Sequence, residues 1–311
     1  MHIPVLLQEV IEYLRPEENQ TFVDATLGLG GHAKEILVRT APHGKLIGFE
    51  QDPRNLSIAK NVLKDFKDRV DFVPKNFIHF AEVLRELKIP RINGVLFDLG
   101  ISSLHLDEAE RGFSLRLNGP LDMRMDPEHT KETAALILNT FSEEALAHIF
   151  WKYGEVKRSG FYGRKITEQR SVRPFSTTGE LADFISAHAS PHDPKGEKHT
   201  VALIFQALRI AVNHELEYLE KVLPETLPFL EPSGRIAVIS FHSLEDRIVK
   251  TFFNSQSEKE KNQKYPSKVN EKMSKAPLKL ITRKCILPSR QESEKNPRAR
   301  SARLRVAEKV L

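Results

Sequence analysis

The chain has 311 residues, 40% hydrophobic and 29% charged, which is the composition of a folded globular protein with core enough for one large domain or two ordinary ones. Its formal charge of +5 is uneven: from residue 255 onward 16 Lys and Arg face 6 Asp and Glu, whereas the residues before it carry 31 against 36. A basic C-terminal region suits a polyanionic partner. No run of about 18 apolar residues occurs, the first residues lack the pattern of a secretory leader, and the lone Cys285 excludes an intrachain disulfide or a cysteine-based metal site; the expected compartment is the cytoplasm.

In chain order, the first hundred residues alternate between strand and helix. Strands are predicted at 21–24, 46–50, 70–73 and 94–98, and helices at 32–39, 56–66 and 77–87, with Pro53, Pro74 and Pro90 at the junctions. This rhythm implies a parallel sheet with right-handed crossovers. After Asp98 it stops, and the pattern from about 104 to 200 is helical and charged with no strand. One long amphipathic helix is predicted over 201–222 from the stripe Val201, Phe205, Leu208, Val212, Leu216, Leu219 and Leu223. Strands return at 235–240, 278–282 and 302–307, and the polar stretch 255–274 reads as a mobile loop. The fold class is α/β: one mainly parallel sheet built from 1–103 and 201–311, interrupted by a helical domain, 104–200. That insertion leaves the carboxyl end of the fourth strand, where open α/β sheets bind ligands, and so is expected to recognise substrate.

The first strand ends in Asp24, and Gly28, Gly30, Gly31 and His32 lead into the next helix. Such a turn sets backbone N–H groups and a positive helix end against an anionic or polar ligand. A dinucleotide fingerprint would read G-x-G-x-x-G. Gly28-Leu29-Gly30-Gly31-His32 instead suits a nucleoside cofactor without pyrophosphate, S-adenosylmethionine, with an NAD-dependent oxidoreductase as the alternative and a non-catalytic RNA-binding factor as a third reading. Glu50, after the second strand, is placed to bind ribose hydroxyls. Asp52 is a helix N-cap, and Phe77 is either core or a platform for adenine. Asp98 opens Asp-Leu-Gly-Ile-Ser, where amino-group methyltransferases often place Asp/Asn-Pro-Pro-aromatic, so any contact to an amine must use different neighbours, Ser102 and Ser103 among them. Phe241 and His242 could wall the same pocket. Arg111 and Arg124 are candidate substrate cations in the insertion. Alternation over 301–306 puts Arg303 and Arg305 on the outer, basic face of a strand, facing RNA.

Seven strings carry a resemblance across the chain: HIPVLLQEV, DATLGLGGH, DLGISS, RGFSLRLNGPLDMRMD, FQALRIAVNHEL, GRIAVISFHSLEDRIVK and NPRARSARLRVAEK. In this order they resemble the bacterial 16S ribosomal RNA cytosine-N4 methyltransferases. The resemblance implies a Rossmann-like class I methyltransferase with a helical insertion, and S-adenosylmethionine contacts at Gly30, Gly31, His32, Glu50, Phe77, Asp98 and His105. It also implies the N4 amine of cytidine 1402 of 16S rRNA, in the small (30S) subunit, as the target. Three positions depart from the family pattern: Glu50 usually appears as Asp, His105 as Gln, and Leu203 stands where an arginine is usual. No membrane partner is expected, and a homodimer is compatible with the sequence.

Overall fold

The structure is a computed structural model that describes residues 3–189, 196–257 and 276–310. The chain divides into two compact units, one formed by Met1–Gly100 with Leu216–Leu311 and the other by Ile101–Glu215. The insertion therefore runs fifteen residues beyond the expected boundary at 200.

The first part of the sheet unit reads α1 (Leu7–Leu14), β1 (Thr21–Asp24), α2 (Gly31–Arg39), β2 (Lys45–Phe49), α3 (Pro53–Val62), β3 (Val70–Val73), α4 (Phe80–Glu86) and β4 (Ile92–Asp98). Local chemistry sets the helix starts. Asp52 accepts the amide of Arg54 at 2.8 Å with Pro53 at the first helical position. Asn76 caps the short 3-10 turn Phe77–His79 that precedes α4.

The inserted unit contains α5 (Ser103–Asp107), α6 (Ala134–Thr140), α7 (Glu143–Gly154), α8 (Ser159–Val172), α9 (Thr178–Ala187) and α10 (Glu197–Asn213). Among its described residues no strand forms, as the sequence predicts. Ser142 caps α7 through the amide of Ala145, and Thr177 with Glu180 forms a capping box on α9.

The single helix predicted over 201–222 is two. His214 takes a left-handed conformation (φ 52°), so α10 ends at Asn213 and α11 (Glu215–Thr226) begins anew. Asn213 fixes the break: it donates to the carbonyls of Met123 and Arg209 and accepts the amide of Met125. Then follow β5 (Leu230–Ser240), α12 (Ser243–Ser257), β6 (Leu278–Leu280), α13 (Arg290–Lys295) and β7 (Arg303–Lys309). Of the stretch expected to be a mobile loop, residues 255–257 close α12, and 258–274 lie outside the described residues.

Seven strands make one sheet in the order β3-β2-β1-β4-β5-β7-β6. Only β7 runs against the others. Alternate side chains feed two cores. Val23, Ile47, Val95, Phe97 and Val238 pack with α4, α11 and α12. Phe22, Leu46, Leu96, Ala237 and Leu304 pack with α1, α2 and α3. Each Val, Leu, Ile or Phe among them removed from water is worth about 1.5–3 kcal/mol, which makes the sheet a rigid base for whatever stands at its carboxyl edge. No helix among the described residues is long and apolar enough to cross a membrane.

Candidate active site

The strand order reverses between β1 and β4, so their carboxyl ends flank a crevice. After β1 the backbone is pinned on both sides: Ala25 N–H donates to Leu96 O and Leu27 N–H to Phe49 O, both at 2.9 Å. The turn then uses positive φ at Gly28 (52°) and Gly30 (84°), a region other residues enter at a cost. Gly31 is required for a different reason, because a Cβ there would run into the ring of Pro4. Gly30 is the N-cap of α2 and makes no side-chain cap.

His32, in the first turn of α2, is buried, and its Nε2 lies 2.9 Å from the carbonyl of Val5. A carbonyl only accepts, so Nε2 carries the proton. In the neutral ring Nδ1 then presents its lone pair toward Asp98 Oδ2, 3.5 Å away.

Four carboxylates surround this crevice. Asp24 is 1% exposed; burial pushes its pKa up to about 7, against the lowering hydrogen bond from Thr26 N–H. Glu50, half-buried after β2, accepts the Asp52 amide at 2.8 Å and the Asn55 amide group at 3.4 Å; burial lifts it to about 8. Asp98 ends β4, and its own N–H donates to Thr26 Oγ1. Burial first, then the nearby charges of Asp24 and Glu245, hold its carboxyl well above the ordinary range. Glu245, in the first turn of α12, accepts the amides of Phe241 (2.7 Å) and His242 (3.2 Å).

Among the described residues three buried side-chain atoms lack a hydrogen-bond partner: Asp98 Oδ1, Ser240 Oγ and His242 Nε2. All three stand at the carboxyl ends of β4 and β5, where Asp98 pairs in register with Ile239, the neighbour of Ser240. His242 Nε2 comes within 3.2 Å of Glu245 Oε1, but out of line for a hydrogen bond. Its Nδ1 accepts the Glu245 amide at 3.4 Å, which leaves the proton on Nε2. Phe241 lies beside Gly100: a Cβ there would sit 3.5 Å from its ring. Phe77 is half-buried and packs edge-on against Phe97 at 5.7 Å.

This donor set fits a cationic nucleoside cofactor. Asp24, Glu50 and Asp98 have no Lys or Arg partner among the described residues, so positive charge entering the crevice would find carboxylates that burial now keeps protonated. A pyrophosphate brings negative charge, which cannot draw those protons off and is repelled by any of the carboxyls that do ionise, so the dinucleotide alternative is disfavoured.

Other expected site residues are occupied elsewhere. In the inserted unit, Ser102 and His105 form a capping box on α5, with Ser102 N–H donating to His105 Nδ1 at 3.1 Å and the buried imidazole packed at a tilt against Phe113. Arg111, expected to face RNA, is buried and donates to the carbonyls of Arg124 and Met125. Arg124 makes a two-point ion pair with Asp122 and donates to the carbonyls of Pro127 and Thr130. Both arginines brace the loop around them. The outer basic face expected of the last strand is also corrected. β7 lies inside the sheet, α12 packs on it, and Arg305 is buried in a two-point pair with Asp246 (2.6 and 3.0 Å). Arg303 keeps more exposure, with one nitrogen 3.5 Å from Asp246. Sequence reasoning misses Ser240 and Glu245; a lone serine closing an apolar strand is the signal that could reveal the former.

The chain matches the MraW methylase family over residues 1–310. It is 47% identical to "Ribosomal RNA small subunit methyltransferase H" of Heliobacterium mobile, with 99% of each chain covered. The protein of the same name from Magnetococcus marinus is 43% identical, with 99% of this chain and 98% of that one covered. Among solved structures, an rRNA methylase from Streptococcus thermophilus aligns over all of both chains at a TM-score of 0.43 and 12% identity. With the family matched from end to end, the chain belongs to the MraW methylases.

Proposed function

We propose that the protein transfers a methyl group from S-adenosylmethionine to the N4 amine of a cytidine in 16S rRNA, at position 1402 of the small (30S) subunit, in the cytoplasm. The observation that carries this reading is the set of three buried atoms that make no hydrogen bond. Asp98 Oδ1 is an acceptor, whereas Ser240 Oγ–H and His242 Nε2–H are donors. The base-pairing edge of cytosine offers the complement, an amine donor beside the acceptors N3 and O2. A base splayed out of its helix is read on that edge. The names of the relatives point to the same polymer.

S-adenosylmethionine supplies a methyl group on a positively charged sulfur. On this reading the turn at Gly28, Gly30 and Gly31 lets the backbone approach the cofactor, with Asp24 and His32 beside it. Glu50 holds the ribose and Phe77 flanks the adenine. The N4 lone pair is delocalised into the ring, so the amine is a weak nucleophile and its orientation decides the rate. Asp98 Oδ1 accepts one N4 hydrogen and aims the nitrogen. As the new N–C bond formed and the sulfur–methyl bond broke, leaving the sulfur neutral, the surplus proton would pass to the Asp98 carboxylate, with the lone pair of His32 Nδ1 behind it. Phe241 walls the base, and Arg303 is the remaining candidate for a phosphate contact from the C-terminal strand.

The test is methyl transfer from labelled S-adenosylmethionine to 30S subunits and to free 16S rRNA, with digestion to nucleosides. N4-methylcytidine is expected, and Asp98→Ala should abolish it while melting as a folded protein. A wild-type protein that labels neither substrate would sink the proposal.

A further inference from the structure

The chain's one tryptophan, Trp151, sits near the end of α7 and is 63% exposed. One turn earlier on the same face is the exposed His148, with ring centres 6.2 Å apart. A large ring left in water in a monomer marks a contact surface more often than a surface leucine does. The segment that follows is strongly basic: from Trp151 to Arg173 there are seven Lys and Arg and two Glu. Most of those cations are engaged. Arg164 and Lys165 both lie by Glu168, Arg173 pairs with Glu180, and Arg170 donates to the carbonyl of Leu138. Lys157 and Arg158, in the turn between α7 and α8, are exposed and meet no carboxylate among the described residues. The Arg158 guanidinium lies over the ring of Phe161 at 3.8 Å, and the residue as a whole stays exposed.

From this grouping we propose that the α7–α8 turn binds a single-stranded stretch of RNA, one base stacking on Trp151 and the adjoining phosphates meeting Lys157 and Arg158. Exposed aromatic faces interleaved with unpaired cations are what single-stranded nucleic acid requires. An acidic protein could also cover the ring, but the rRNA of the reading above is a polyanion that brings bases to stack as well as charge. The inference rests on the rRNA reading above and adds a place on the inserted unit where the polymer is held.

Because no other tryptophan contributes, the intrinsic fluorescence of the full chain reports this surface directly. Titration with a single-stranded RNA oligonucleotide should quench it saturably, with a Kd that rises with salt. In a filter-retention assay Trp151→Leu should raise the Kd roughly 5- to 100-fold, the range for losing one base stack. The double variant Lys157→Glu, Arg158→Glu should raise it by about 10-fold or more at low salt. All three side chains are exposed, so the melting temperature should stay at the parent value. RNA retained by the filter with the same Kd in every variant, and no quenching, would overturn the inference. Quenching that follows protein concentration without RNA would overturn it in favour of a second copy, and quenching by 30S subunits but not by deproteinised 16S rRNA in favour of a protein partner. The rRNA reading fails separately, if the wild type transfers no methyl group to 16S rRNA whatever its fluorescence does.

Discussion

Cofactor binding should release protons, and its affinity should therefore climb with pH. In the ligand-free crevice Asp24 titrates at about 7 and Glu50 at about 8, both raised by burial, while Asp98 lies well above the ordinary range. A cation and ribose hydroxyls both favour the ionised forms, so binding must pull these protons off wherever they are still present. The sign follows: below the free-state pKa values affinity is reduced, and it levels off above them. If Asp24 alone ionises on binding, affinity for S-adenosylmethionine should rise about 10-fold between pH 6 and pH 8; if Glu50 joins it, about 500-fold. Glu50 keeps some exposure, so the Asp24 value is the firmer floor. Calorimetric titration at several pH values, repeated in buffers of different ionisation heat, measures both the affinity and the protons released. Affinity flat from pH 6 to 8, with no buffer dependence, would refute the account of the crevice as a set of buried, protonated carboxyls. The same groups predict that Asp24→Asn raises the melting temperature of the ligand-free protein at pH 8, because an acid with a raised folded pKa withdraws stability as pH rises from its unfolded value toward about 7.

Two further outcomes separate the roles assigned to buried polar groups. Ser240→Ala should leave stability unchanged or slightly higher, since the hydroxyl has no partner, yet lower methyl transfer by about 10-fold; unchanged transfer would remove Ser240 from base recognition. Asp246→Ala should cost about 3–5 kcal/mol in denaturant unfolding by stranding Arg305 in the sheet, while Arg305→Met costs less than Arg305→Ala; a loss of RNA affinity at full stability would restore Arg305 to the RNA surface.

The glycine turn, the carboxylates after β1, β2 and β4, and the helical interruption could be read from the sequence because each depends on local chemistry. Positive φ favours glycine, strands alternate, and a polar residue closes an apolar run. What escaped was set by packing between distant segments. The apolar stripe keeps its three- and four-residue steps across His214, so nothing in the spacing reveals that Asn213 ends one helix and that the unit boundary falls there. Arg303 and Arg305 alternate with Leu304 as they would on a sheet surface. Only the position of β7 between β5 and β6, under α12, turns that face inward. Arg111 and Arg124 likewise look like ligand-binding cations until the carbonyls that occupy them are in place.

The glycine turn of α2 is completed by residues at opposite ends of the chain. Pro4 lies against Gly31, Val5 fixes the His32 tautomer, Leu6 N–H donates to Glu292 at 2.7 Å, and Asn296 donates to the carbonyl of Ile3. The support behind the turn is therefore assembled only once residues 292 and 296 have met residues 3–6. A nascent chain that has already made every residue of β1, α2 and β4 still lacks the clasp over them.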